Sequence, residues 1–202
     1  MIRLFFIMTL FTPLLACATE TAERGTTTIQ TRVNAAIAGK TDQSDRKYWH
    51  PLLKWTDECE EDFGYPESVS GIDIYPDNNN QYIVVVMCTM GSYQGRQQFF
   101  YLQLAGEKAI ANPLQFPLFD ISNKKAVLKE SSSELWGNVL NNSEYNKFTI
   151  LNQYSGYGHC GTMTTYSILN GAVTATKLLA QPDCEAKNAS RDPEKWPSYA
   201  IP

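Results

Sequence analysis

Positive charge is not in excess in this sequence: 17 Lys and Arg stand against 21 Asp and Glu, for a formal net charge of −4. Such a balance offers no summed field to draw in nucleic acid, so no nucleic-acid partner is expected. Histidine is scarce, and any imidazole chemistry has only His50 and His159 to use. Cys-x-x-Cys, Gly-x-Ser-x-Gly, His-Glu-x-x-His, the phosphate loop, the dinucleotide fingerprint and the calcium-loop spacing are all missing. Hence no catalytic residue, no metal site and no cofactor is assigned. Apolar runs are also short, and none reaches the roughly 20 residues that a spanning helix needs.

What is present begins with the first seventeen residues. Arg3 is the only charge before Glu20, and residues 4–16 form an apolar stretch interrupted by Thr9, Thr12 and Pro13. A basic start, a short apolar centre and a small residue before the cut describe an export signal. Leu14, Leu15, Ala16 and Cys17 have the form of a lipobox, the pattern of bacterial lipoproteins in which the cysteine thiol takes a diacylglycerol and becomes the new N-terminus. An ordinary cleaved signal is the alternative. The expected protein is a lipoprotein held to a membrane by acyl chains such as palmitate at Cys17, with residues 1–16 as its signal peptide. Several chains, at about 0.8 kcal/mol per buried CH₂, make such an anchor stable where one chain binds reversibly. Ala18 in place of Asp fits outer-membrane sorting, facing the periplasm, if the envelope is Gram-negative.

Setting Cys17 aside leaves Cys59, Cys88, Cys160 and Cys184, an even number in an exported chain, with three possible pairings. Short intervals, each within its own half of the chain, favour Cys59 with Cys88 and Cys160 with Cys184. Each closed loop removes about 3 kcal/mol of denatured-state entropy.

Residues 17–44 are poor in large apolar side chains and read as a flexible tether, although Ile29, Val33, Ala36 and Ile37 share a helical face that could end at Gly39. Residues 45–202 read as one β-rich domain. Tyr48, Trp49, Leu52, Leu53 and Trp55 supply an apolar cluster around Pro51. Ile72 and Ile74 alternate with polar neighbours, and a turn at residues 77–80 leads into the continuous apolar run 82–87, a hairpin ending in a central strand. Phe100, Leu102 and Leu104 mark a third strand, and residues 114–119 a fourth. Phe148 with Ile150, and Thr164, Tyr166 and Ile168, mark two more before Asn170–Gly171, a strong two-residue hairpin turn with a return arm at 173–179. Residues 122–134 read as a polar loop or short helix between two halves, and 185–202 as a polar tail. The expected fold is mainly β: one antiparallel sandwich or partly closed barrel of about eight short strands with two disulfides.

Several segments together carry a family likeness: residues 55–63 (WTDECEEDF), 88–94 (CTMGSYQ), 156–161 (GYGHCG), the strand and Asn-Gly turn at 166–171, and the late Cys184 before Trp196. Over roughly residues 49–196 the chain resembles the bacterial family called domain of unknown function 1176. It departs from that pattern with Ser92 for the usual Ala and His159 where Asp is usual. The resemblance implies an exported, often lipid-anchored protein and brings no biochemical activity with it.

Among motifs weighed as chemistry, Asp57, Glu58, Glu60, Glu61 and Asp62 surround Cys59 and read first as a solvated loop beside a disulfide. Tyr93, Tyr154, Tyr157 and His159 flank two glycine-bearing loops and are the candidate binding surface, suited to glycan or protein if both loops lie at one end of the fold. The leading expectation is therefore a binding module in the cell envelope, attached to membrane by lipid, with an envelope glycan or protein as partner. A hydrolase using carboxylates such as Glu58 or Asp62, two acids about 5 to 9 Å apart in a cleft, is the alternative enzyme. A structural assembly factor of an envelope complex is the third reading, signalled by a contiguous exposed apolar patch.

Overall fold

Thr28 has extended backbone and its hydroxyl accepts from the amide of Thr31, which starts helix α1 (Ile29–Ile37); Gly39, at φ +64, ends it. The computed structural model begins with this cap and describes residues 28–106, 108–141, 146–187 and 189–202. Residues 1–16, read above as a signal peptide, and Cys17 lie outside the described residues. So does the first part of the stretch read as a tether. Its remainder, 28–44, carries α1 and the start of a second helix, and Val33 is fully buried. The shared apolar face of Ile29, Val33 and Ala36 thus has a surface to cover.

Asp42 opens α2 (Gln43–Leu53) with a reciprocal capping box to Asp45, and Lys54 closes it in the left-handed region. Pro51 sits in the last turn, where few helical bonds remain to be lost. The apolar cluster of residues 48–55 is thereby placed on a helix and the bend after it. Thr56 then caps α3 (Asp57–Glu61), so the acidic run is a short helix rather than a loop. No described helix is long and apolar enough to cross a membrane.

Among the described residues ten antiparallel strands follow, and the fold is mainly β, with 49% strand against 17% helix and sheets not closed into a barrel. They are β1 (Ile72–Asn78), β2 (Gln81–Met90), β3 (Gly95–Ala105), β4 (Lys108–Pro113), β5 (Phe116–Ser122), β6 (Lys125–Ser132), β7 (Glu134–Asn141), β8 (Lys147–Gln153), β9 (Gly161–Leu169) and β10 (Ala172–Gln181). The main sheet runs β1-β2-β3-β7-β8-β9-β10, with β4 on the second half of β3, while β5 and β6 form a separate ribbon. Both predicted hairpins are present: β1–β2, and β9–β10 around Asn170 and Gly171, both at positive φ. The polar stretch 122–134 is corrected: it is not a loop or helix but β6 and the start of β7. Strand pairing there satisfies the backbone while most β6 side chains stay in solvent.

Alternation on β2 and β3 divides the interior in two. Tyr82, Val84, Val86, Phe100, Leu102 and Leu104 face one way and pack under α1, α2 and α3 with Val33, Trp49, Leu53 and Trp55. Ile83, Val85, Phe99 and Tyr101 face the other way, into a second core with Leu114, Phe116, Leu135, Phe148, Ile150, Tyr166 and Ile168. Strands buried on both faces explain the continuous apolar run 82–87. Cys59–Cys88 ties α3 to β2 and Cys160–Cys184 ties the C-terminal segment to the start of β9, the pairing expected from the intervals. That segment is held further by Trp196, buried, whose indole N–H donates to the Ser190 carbonyl at 2.8 Å.

A buried cation sits in the helical layer. Arg46 is fully buried, with Nε 2.9 Å from Glu60 Oε2 and Nη1 donating to the carbonyls of Ser70 (2.9 Å) and Met87 (3.2 Å). Its guanidinium lies 3.7 Å from the centre of the Phe63 ring. Burial lowers its pKa, and the Glu60 carboxylate opposes that shift.

Candidate functional site

On β8 and β9 the pleat sends Phe148, Ile150, Asn152 and then Tyr154 to the inner face, paired with Tyr166, Thr164 and Thr162. The first of these pairs, Phe148 with Tyr166, is apolar and lies in the second core. Further along, the same face turns polar, with Thr164, Asn152 and Thr162 where a closed core would require apolar side chains. Above this strip stands the β5–β6 ribbon, fastened at its base by buried Phe116 and by the Tyr166 hydroxyl, which donates to the Pro117 carbonyl at 3.0 Å. Burial pushes the Tyr166 phenol up to about 12.

Between ribbon and sheet lies a cleft of about 470 Å³. Its floor is Ile150, Asn152, Tyr154, Thr162, Thr164 and Tyr166. The ribbon contributes Leu118, Phe119, Asp120, Lys129 and Glu130, and Ser132, Glu134, Leu135 and Trp136 close one side. The volume falls in the range of small-molecule sites, roughly 300–1,000 Å³. Two glycines flank the floor. At Gly137, φ +144, a Cβ would sit 2.7 Å from the Leu151 carbonyl oxygen, and at Gly161, φ +148, it would collide with the Asn152 carbonyl. β8 is therefore approached closely from both sides at the residues that carry Asn152.

Tyr154 is half-exposed on this floor. Partial burial raises its pKa, the hydrogen bond with Thr162 lowers it, and the Asp120 carboxylate adds to the rise. A phenol, hydroxyls, an amide and carboxylates thus converge beside aromatic and aliphatic surface. That combination can hold a ligand rich in hydroxyl groups.

Of the predicted binding residues, the cleft takes Tyr154 alone. Tyr93 and Tyr157 lie beyond its lining, on loops that do come together: Gln94 Oε1 accepts from the Gln153 amide at 2.9 Å, Asn138 Nδ2 donates to the Tyr93 carbonyl at 3.0 Å, and a Cβ on Gly156 would touch the Tyr93 ring. Tyr157 is 77% exposed. The His159 ring is 6.1 Å from that of Tyr157, and its Nε2 is 2.6 Å from the Cys184 carbonyl oxygen, beside the disulfide. These residues gather on neighbouring loops outside the cleft lining.

Glu58 and Asp62 lie on the helical side of the sheet. Arg96 Nη2 bonds Asp62 Oδ2 at 2.7 Å and the Glu58 carbonyl at 3.3 Å, and neither acid lines the cleft. The acids Asp120 and Glu130, which border it, went unread in the sequence, as did Asn152, Thr162 and Thr164 as site residues; Glu134 also borders it, but its carboxylate is turned to Gln98 and Arg96. A signal for the last three existed: polar residues fall at every second position beyond Ile150 on β8 and before Tyr166 on β9.

Comparison with known proteins gives no match to a family model, to a curated protein or to a solved structure.

Proposed function

We propose that this chain is an exported envelope lipoprotein, anchored through Cys17, that binds a glycan in the cleft between the β5–β6 ribbon and β8–β9. The observation that carries this reading is the inward-facing polar strip of Asn152, Thr162 and Thr164, next to Tyr154 and roofed by the ribbon. Thr162 and Thr164 already bond the Tyr154 and Tyr166 phenols, and hydroxyls and an amide held in place at the edge of an open cleft keep further donor and acceptor capacity for a hydroxyl-rich ligand. The export signal, the lipobox and two disulfides support an envelope location outside the cytoplasm. The resemblance to domain of unknown function 1176 supports the same location and belongs to this proposal.

The hydrolase reading on Glu58 and Asp62 loses its support, since Asp62 is engaged by Arg96 away from the cleft. An assembly role keeps one observation: Phe119, Leu128, Val173, Ile201 and Pro202 border a shallow apolar depression between the ribbon, β10 and the last residues of the chain.

Two measurements test the proposal. Mass spectrometry of the chain purified from membranes is expected to find Cys17 as the acylated N-terminus, and an intact Met1 start contradicts the anchor. Screening the full chain in detergent against neutral oligosaccharides is expected to find binding that Asn152→Leu weakens about tenfold or more, the effect of leaving hydrogen bonds unmade. Absence of binding to any oligosaccharide contradicts the glycan reading.

A further inference from the structure

The ladder of the β5–β6 ribbon is interrupted by a bulge between Leu118 and Phe119: Leu118 pairs with Glu130 and Phe119 with Leu128, so Lys129 has no residue opposite it. Below this bulge the ribbon is fastened. Phe116 is fully buried, its ring 4.8 Å from that of Phe99 and 5.0 Å from that of Tyr166, and the Pro117 carbonyl accepts from the Tyr166 hydroxyl. Beyond it, among residues 119–128, Ala126 alone is buried, and Val127 and Leu128 stand half in solvent. This distal part pairs with no other strand, and space lies on both sides of it. On one side is the cleft, and on the other the apolar depression of about 210 Å³ in front of Val173 and Ile201. Phe119, the first residue past the bulge, borders both.

A two-stranded ribbon has little stability by itself, and a bulge is where its ladder bends. Resting on the glycan reading, we infer that the part of the ribbon beyond the bulge is a hinged lid, which swings at Lys129 and carries Phe119 from the depression into the cleft, over a bound saccharide. The floor offers Asn152, Thr162 and Thr164 to the hydroxyls of the sugar, and the Phe119 ring covers the apolar C–H face that those hydroxyls leave bare. In the open position the same ring stands beside Val173 and Ile201, so a ligand shifts it only by offering comparable apolar contact.

The test follows hydrogen exchange of the full chain in detergent, free and with chitotetraose or maltotetraose at about ten times its Kd. In the free chain the amides of residues 119–128 are expected to exchange together, about a hundredfold faster than those of β8 and β9. With sugar bound their protection should rise about tenfold, because opening the lid then means releasing the ligand. Deleting Lys129, which makes the ladder continuous, should slow exchange of the free ribbon and weaken binding, while Phe119→Ala should weaken binding about tenfold and leave the free ribbon fast. Each variant is checked by its melting curve. Equal protection of the ribbon and of β8–β9 in the free chain overturns the inference. A bound sugar that leaves the ribbon's exchange unchanged also overturns it, and the glycan reading then stands. Failure of both sugars to bind counts against the glycan reading and overturns the lid with it, even where the free ribbon exchanges fast.

Discussion

The helix-covered face of β1–β3 and the inner face of β8–β9 belong to one continuous sheet, yet they are built to different ends. Under α1, α2 and α3 every inward position from Tyr82 to Val86 and from Phe100 to Leu104 is apolar and buried, and Cys59–Cys88 fastens the cover covalently. On β8–β9 the apolar pattern stops at Ile150 and Tyr166, and the cover is a ribbon whose two strands pair only with each other. Even the charged groups differ. Arg46 on the sealed side has its carboxylate, two carbonyls and an aromatic ring around it, whereas Asp120 on the open side has no ion-pair partner among the described residues. The difference is one of access rather than of matching: Trp49 Nε1 on the sealed side has no hydrogen-bond partner, while the Thr162 and Thr164 hydroxyls on the open side bond Tyr154 and Tyr166.

This contrast can be broken in several ways. The largest effect is expected from Glu60→Ala, which leaves the buried Arg46 guanidinium without its carboxylate and should cost about 4 kcal/mol of stability in urea unfolding. A loss below about 1 kcal/mol would mean that the helical layer is far less sealed than described. Next, removing both sulfurs of the Cys59–Cys88 bridge, as Cys59→Ala with Cys88→Ala, should cost about 3 kcal/mol by loop closure. The third test is a reciprocal exchange. Val84→Asn, under the helices, should lose about 2 kcal/mol or more, while Asn152→Leu, in the cleft, should stay within about 0.5 kcal/mol of the parent and lose ligand.

The smallest effect is a dependence on alkaline pH confined to the ribbon-side core. Tyr101 and Tyr166 are both pushed from 10.0 up to about 12, chiefly by burial, and the Tyr101 hydroxyl also donates to Asp77 Oδ2 at 2.8 Å. A phenol whose folded pKa is raised stabilises the fold fully below pH 10, and that contribution is lost as pH climbs from 10 to about 12. Circular dichroism in urea should show a flat stability up to about pH 10 and a decline above it, reduced in Tyr166→Phe. Retained stability at pH 12 contradicts the assignment.

Legibility in the sequence follows the same divide. Strong local signals gave the β1–β2 and β9–β10 hairpins: the run 82–87, and Asn170–Gly171 at positive φ on both residues. β6 and β7 were hidden because a ribbon facing solvent on most sides has no apolar period to read, and Lys125–Ser132 is polar at nearly every position. α2 was hidden by Pro51, which ordinarily breaks a helix but here falls in its final turn. In the site, Tyr154 was legible as an aromatic beside a glycine loop. Asn152, Thr162 and Thr164 were not, although they continue the alternation of Phe148 with Ile150 and of Tyr166 with Ile168, because a polar residue on an inward face gives no apolar signal of its own. Asp120 was missed for the same reason, on a strand whose partner was read as a loop.

The most direct test of the cleft is a map of backbone amide shifts by nuclear magnetic resonance while the full chain is titrated with chitotetraose. Perturbations are predicted to cluster on Asp120, Asn152, Tyr154, Thr162 and Thr164. A map centred instead on Tyr93 and Tyr157, or on the helical face around Glu58 and Asp62, would contradict the account.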